Sequence, residues 1–476
     1  MEKSQKKQIP LIDRIFRIVC GVIAIGVVVA LILYISLNSL ADKGYFLRKH
    51  STVTSQNYEI NNSMMSYFFY EEYRNFVNKN YDSINDMGLS SAKSLKKQKS
   101  YYGDGTWYDH FMTAATDKVK QKVALAEAAK SAGMSLGDEE NAEIDRTIER
   151  KQNAADGRSE SLREYLAFMY GRGVTENDVR DCLKLNMLAD KYYQSVYDST
   201  VMTDDEINAK YEQEPQKYMS ATCKKYVFKY AENGKKAKSA KSFDEYINAV
   251  LEDITKDYKE SYSVDLERSM AEVTYYQLGA SSYDYGENKT VDKLAFSDTA
   301  AVSDTAVTEK DGEYTGYCVV SLPARAEYAT KNIRLIKFNF KTYGSEQYAL
   351  RAANSVLESW NDSTKTQVYF KGLVAENSED TDSYDNGGLY RNLKTGVLES
   401  AVEEWAFSDE RKENDCTVIT GEEAYYVVLF EGNGVPAWQA DIIAENFDGV
   451  IKEQTDKFVN DYSVKVTKKY WKKISI

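Results

Sequence analysis

No residue from Ile18 to Leu37 carries a charge, and this run of 20 residues is long enough to cross a bilayer as one helix. Lys3, Lys6, Lys7, Arg14 and Arg17 precede it, while Lys43, Arg48 and Lys49 follow. The positive-inside rule therefore puts the N-terminus in the cytoplasm and everything after Asn38 outside. A cleaved signal peptide ending at Ser39-Leu-Ala41 is the competing reading, but the run exceeds the ~7–15 apolar residues of a signal. From Asn57 to Pro215 apolar residues recur at three- and four-residue steps: Ile60, Met64 and Phe68, then Phe69, Tyr73 and Phe76, then Val119, Val123 and Ala126 on the way to Gly133. That period predicts amphipathic helices. Ser161-Leu-Arg-Glu164 and Thr203-Asp-Asp-Glu206 have the form of capping boxes and mark two further helix starts.

After Pro215 the pattern becomes strand, helix, strand, and it does so twice. Ala295-Phe-Ser-Asp298 recurs as Ala406-Phe-Ser-Asp409, Val250-Leu-Glu252 as Val356-Leu-Glu358, and Tyr317-Cys-Val-Val320 as Tyr425-Tyr-Val-Val428, at offsets of about 105–110 residues. Asn386-Gly387-Gly388 reads as a tight turn with positive φ, and Gly396 as a place where the backbone passes close to something. Ala424 to Phe430 is a buried strand by its apolar, β-branched run. From Pro436, Trp438, Ile443, Phe447, Val450 and Phe458 form a helical stripe, and Val464 and Val466 alternate in a closing strand. The fold class is α+β: a tail over 1–14, a membrane helix over 15–38, a helical domain over 39–215, two small modules over 216–323 and 324–432, and a C-terminal helix and strand over 433–476. Pro215, Pro323 and Pro436 mark boundaries, since proline continues neither a helix nor a central strand.

Composition narrows the chemistry. A net charge of −13 repels phosphate backbones and argues against nucleic acid as a partner. Five cysteines, Cys20, Cys182, Cys223, Cys318 and Cys416, have no paired spacing and suggest neither a zinc site nor a disulfide framework. The chain has no Gly-x-Ser-x-Gly and no phosphate-binding glycine loop. Its two histidines, His50 and His110, lie outside both modules. The 38 tyrosines supply apolar faces with hydrogen-bonding tips, which suit contact with other polypeptides. Between Asn57 and Tyr81 the aromatic and methionine content exceeds what one buried stripe requires, so this helix is a candidate client surface, with burial between other helices as the alternative.

Asp385-Asn-Gly-Gly-Leu-Tyr390, Lys394-Thr-Gly-Val-Leu398, Trp405-Ala-Phe407 and Ala424-Tyr-Tyr-Val-Val428, in that order, resemble the second half of a parvulin-type peptidyl-prolyl isomerase domain. The resemblance puts Leu398 at the family's pocket methionine, Val402 at its phenylalanine, Tyr426 at its last histidine, and Leu335, in Arg334-Leu-Ile-Lys337, at its first. Asp380 falls near its Cys/Asp position, and Cys318 at the histidine position of the first, more eroded module. The implied substrate pocket is Leu335, Asp380, Leu398, Val402, Phe407 and Tyr426. With both histidines replaced it implies no catalytic residue, and the family uses no metal or other cofactor.

Asn57-Tyr-Glu-Ile60 with Tyr67-Phe-Phe-Tyr70, Gly171-Arg-Gly-Val-Thr175 and Val201-Met-Thr-Asp-Asp-Glu-Ile207 resemble the N-terminal chaperone domain of SurA/PrsA-type foldases. In those proteins a C-terminal helix returns to complete that domain. Together the resemblances imply a single-pass, membrane-anchored extracytoplasmic folding factor that binds unfolded or newly secreted polypeptides and has little isomerase activity. An active isomerase with a divergent pocket and a scaffold for one dedicated partner remain open as alternatives.

Overall fold

The computed structural model describes residues 11–230, 266–268, 271–310 and 313–474. Helix α1 (Leu11–Asp42) contains, from Val22 to Asp42, one stretch long and apolar enough to cross a membrane, with none of it buried against the rest of the chain. It runs into the short α2 (Tyr45–Arg48) at Gly44, whose φ of 69° favours glycine. The Arg172 Nε donates to Asp42 Oδ1 at 2.6 Å, so the Gly171-Arg-Gly173 turn is fastened to the end of α1.

After two short strands, β1 (Ser51–Thr54) and β2 (Glu59–Asn61), come α3 (Asn62–Lys79), α4 (Trp107–Ser131), α5 (Asp138–Gly157), α6 (Leu162–Tyr170), α7 (Glu176–Ser199) and α8 (Asp204–Gln213). Both capping boxes form, with the Ser161 and Thr203 N–H groups donating to Glu164 and Glu206 at 2.8 Å each. The first half of the aromatic helix is enclosed, as the alternative reading of its composition expects. Every residue of α3 from Asn62 to Phe69 is buried, because α4, α6 and α7 enclose it; Tyr70, Tyr73 and Phe76 pack on the same core. An all-round apolar surface is what a helix enclosed on several sides requires.

The first antiparallel sheet has β3 (Ser220–Tyr230), β4 (Leu266–Arg268), β5 (Ala271–Asp284), β6 (Thr305–Lys310) and β7 (Glu313–Ala324) in the order β4-β5-β3-β7-β6, with α9 (Lys289–Ala295) beside it. The second has β8 (Ala329–Asn339), β9 (Leu389–Leu393), β10 (Cys416–Thr420) and β11 (Ala424–Pro436) in the order β10-β11-β8-β9, with α10 (Glu346–Asn361), α11 (Gln367–Asn377) and α12 (Ser400–Ala406). The order β6-β7-β3-β5 thus repeats as β10-β11-β8-β9. Ala295 and Ala406 end the equivalent helices α9 and α12; the Val250-Leu-Glu252 repeat lies outside the described residues.

One register differs from the sequence match. Tyr317 and Val319 face α9, packing on Val291 and Ala295, as Tyr426 and Val428 face α12, packing on Val402 and Ala406. Tyr317 rather than Cys318 therefore takes the place of Tyr426, since a one-residue slip moves a side chain to the other face of a sheet.

Helix α13 (Ala437–Asp461) returns to the helical body. Trp438 and Ile442 pack with Ile207 and Tyr218, and the Phe447 ring meets Tyr193 and Tyr197 edge-on at 5.0 Å. Strand β12 (Lys465–Val466) then pairs with β1, Val466 opposite Val53. Val464, Trp471 and Ile474 complete the core of the helical body, each large side chain contributing roughly 1.5–3 kcal/mol by burial.

Candidate functional site

Helix α12 is short and needs outside support to stand over the second sheet. The Glu403 carboxylate supplies it, accepting the N–H groups of Gly396, Val397 and Leu398 at 2.9, 2.8 and 2.8 Å. Gly396 serves this loop through its φ of 88°, not through a close approach, for nothing stands within 4 Å of where its Cβ would be. So placed, Leu398, Val402 and Phe407 meet Leu335 of β8 and Tyr426 of β11 in one apolar cluster.

The cluster fills itself. Leu335 and Val402 are each 1% exposed and Tyr426 6%. The Tyr426 hydroxyl donates to Glu399 Oε1 at 2.6 Å, and Glu399 Oε2 accepts the Glu422 N–H at 2.9 Å. Burial, then Glu399, pushes the Tyr426 pKa far above its ordinary value, so the phenol stays protonated.

Asp380 stands apart from that bond. It accepts the Tyr390 hydroxyl at 2.9 Å and the Ser383 N–H at 3.2 Å, with the Ser383 hydroxyl also donating to it. Its role is to pin the glycine turn. Gly387 and Gly388 have φ of 62° and 78°, and a Cβ on Gly388 would lie 2.7 Å from the Leu335 carbonyl oxygen. Of the six residues expected in the pocket, five share one apolar cluster, and Asp380 meets it through Tyr390, which packs on that cluster, while also holding the turn. Leu335 cannot exchange a proton, and the protonated Tyr426 phenol is engaged by Glu399.

The same turn faces the helical body, and a second site forms there. The Tyr384 hydroxyl donates to Glu71 Oε2 at 2.8 Å, Lys118 stands between Glu72 and Asp385 at 2.6 Å each, and Lys79 pairs with Asp382 at 3.0 Å. Arg391 donates to Gln194 at 2.7 Å and lies 3.5 Å from the centre of the Tyr197 ring. At the far end, fully buried Glu143 holds Arg146 at 2.7 Å and Arg150 at 2.5 Å, and Arg150 also reaches Glu376 on α11. Gly372 makes this close approach possible, since a Cβ there would stand 1.8 Å from Glu143 Oε1.

Between these ties is a cleft of ≈ 770 Å³ whose walls include Tyr193 and Tyr197 of α7, Phe447 of α13, and Arg334 and Tyr390 of the second sheet. A chamber of ≈ 500 Å³ adjoins it, lined by Tyr67, Phe68, Leu183, Met187, Val368 and Ala375. The two share Lys118, Lys122, Asp190, Gln194, Lys371 and Asp385. These volumes and this mixture of aromatic, aliphatic and charged walls suit binding. Sequence reasoning missed the cleft because its walls come from segments more than 300 residues apart, with no common period. The excess of tyrosine was its one signal.

No protein-family model matches this chain, and no curated protein matches it either. Among solved structures it has a structural neighbour in the peptidylprolyl isomerase PrsA from Bacillus cereus. That match covers 80% of this chain and 100% of the PrsA chain at 11% identity, with a TM-score of 0.18. An overlap of that quality carries no argument about the residues of this chain.

Proposed function

We propose that this protein is a membrane-anchored extracytoplasmic folding factor that holds unfolded polypeptide in the cleft between its helical body and its second sheet module, with little prolyl isomerase activity. The observation that carries the reading is the contrast between the two sites. The apolar cluster at the parvulin-like positions is closed by its own side chains, whereas a cleft of ≈ 770 Å³ walled by aromatic and charged groups stays open. The anchor is α1, and the basic residues before it favour a cytoplasmic N-terminus. Holding needs no covalent chemistry: aromatic walls adapt to varied side chains, while mixed charges meet the backbone and polar groups of an extended chain.

The full-length protein in lipid nanodiscs should suppress aggregation of an unfolded test protein. It should leave Xaa-Pro isomerisation near its uncatalysed time of tens of seconds. Absence of suppression, or a rate enhancement of the size an intact parvulin gives, would overturn the reading. Protease added to spheroplasts should digest the chain after Asn38 and spare the tail; a resistant body would reverse the orientation.

A further inference from the structure

Of the three lysines shared by the cleft and the chamber, Lys118, Lys122 and Lys371, two stand without a partner among the described residues. Lys118 is held by Glu72 and Asp385, Arg334 by Glu431 at 2.5 Å, and Arg391 by Gln194 and the face of Tyr197. Lys122 and Lys371 have no hydrogen bond or ion pair among the described residues, yet both line the outer cleft and the inner chamber. The stem of Lys371 packs beneath Gly387, where a Cβ would stand 2.5 Å from its Cγ. That contact fixes the course of the side chain and carries the amine to the junction of the two spaces.

The surroundings of Lys371 leave its charge under-compensated. Burial lowers its pKa; Asp190 and Glu431 push it up, and Arg334 and Arg391 push it down, with a net lowering. A partly desolvated ammonium in this position gains from any carboxylate brought to it. The chamber beside it has room for a bulky side chain and walls of Tyr67, Phe68, Leu183, Met187 and Val368. The carboxylates at the chamber's edge are mostly engaged, Glu71 by Arg74, Glu72 and Asp385 by Lys118, and Glu140 by Lys191, and Asp190 faces the two lysines from the shared wall. A largely apolar chamber with two cations at its mouth and a single unpaired acid between them matches a ligand that carries an apolar group next to a carboxylate.

Resting on the reading that the cleft holds unfolded polypeptide, we propose that Lys371, together with Lys122, forms a carboxylate subsite. It takes an Asp or Glu side chain of an extended client whose neighbouring bulky apolar side chain occupies the inner chamber. A fatty acid has the same chemistry, an apolar tail beside a carboxylate. The polypeptide is favoured because the outer cleft into which the rest of the ligand must run is lined by Asp441, Asp448, Lys452 and Asp456 as well as by aromatics. Such walls suit a polar backbone better than an acyl chain.

The test uses full-length protein in nanodiscs and short labelled peptides that share a Phe-Leu pair and differ at the next position, Glu or Gln, read by fluorescence anisotropy at low salt. The Glu peptide should bind about tenfold tighter than the Gln peptide, the size of one charge-assisted hydrogen bond in a partly desolvated site. Lys371→Met keeps the stem and removes the charge; it should abolish that preference, bringing the Glu peptide's affinity down to that of the Gln peptide. Lys122→Met, which removes the second charge, should reduce the preference by about threefold as the weaker partner. Equal binding of the two peptides by the unaltered protein overturns the subsite, as does a preference that survives in both variants. Laurate bound without either peptide assigns the chamber to a lipid carboxylate and also overturns it. If aggregation suppression persists in any of these cases, the folding-factor reading stands and only the subsite falls. If neither peptide binds and suppression is absent too, the reading itself has failed.

Discussion

The two sheet modules share a strand order and a detail of construction, and they differ in what they touch. In each, a tyrosine on the central strand is tied to the residue that caps the short helix above the sheet. Tyr426 donates to Glu399 before α12, and the Tyr317 hydroxyl accepts from the Asn288 amide before α9 at 2.9 Å. In the second module the glycine turn and the helix α11 meet the helical body: the Tyr384 hydroxyl reaches Glu71, Asp385 pairs with Lys118, and Glu376 of α11 pairs with Arg150. Among the described residues, none from the first sheet lines either the cleft or the chamber. The repeat therefore preserves a fold, and the cleft arises where one copy docks on the helical body.

Undocking is the largest way to break this comparison. Glu376→Ala leaves Arg150 of α5 without its partner on α11, and removal of one member of a buried pair costs about 3–5 kcal/mol. The expected result in urea denaturation is early release of the second module and loss of aggregation suppression. An unchanged midpoint with suppression intact would mean that the docking does not maintain the cleft.

Thiol chemistry sharpens the comparison at a smaller scale. Burial raises the Cys223 pKa to about 11 in the first sheet and the Cys416 pKa to about 12 in the second. A raised pKa lowers the reactive thiolate fraction, so at pH 8 maleimide should modify Cys223 about 100-fold and Cys416 about 1,000-fold more slowly than an ordinary thiol. Both rates should climb with pH, about tenfold per unit until the raised value is reached. Peptide mass spectrometry across pH 7–9 checks the slopes; a rate that does not rise with pH at either thiol would contradict the raised values.

The smallest expected effects separate the two tyrosine ties. Tyr426→Phe breaks a bond to a carboxylate and should cost about 1.5–3 kcal/mol, while Tyr317→Phe breaks one to an amide and should cost about 0.5–1.5 kcal/mol. Isomerase activity should change in neither variant. Equal costs in chemical denaturation would erase this distinction between the modules.

Local structure was legible in the sequence wherever neighbours along the chain determine it. Ser161 and Thr203 announce their helices because cap and acceptor are three residues apart. The Gly387-Gly388 turn is legible because only glycine adopts such φ without strain. The returning C-terminal helix follows from a stripe that would otherwise be exposed. The one-residue error at Tyr317 and Cys318 arose because both faces of that strand are apolar, so alternation could not choose between them. Composition alone could not say which of Tyr67, Phe68 and Phe69 are enclosed and which line a chamber, since an enclosed helix and a sticky one have the same composition; Phe69 is fully buried, while Tyr67 and Phe68 also line the chamber. The pairing of Lys118 with Asp385, or of Arg150 with Glu376, leaves no periodic trace because the partners meet only after the domains have folded.

The central claim, that client polypeptide occupies the cleft and not the closed cluster around Tyr426, is tested most directly by site-specific photo-crosslinking. A benzophenone amino acid is placed in full-length protein at Tyr193, in the cleft wall, or at Val397, which is exposed beside Leu398 at the rim of the closed cluster. An unfolded client added in excess and irradiated should crosslink strongly at Tyr193 and at no more than background at Val397. Crosslinking at Val397 with Tyr193 silent would put the client at the isomerase-like positions and contradict the account.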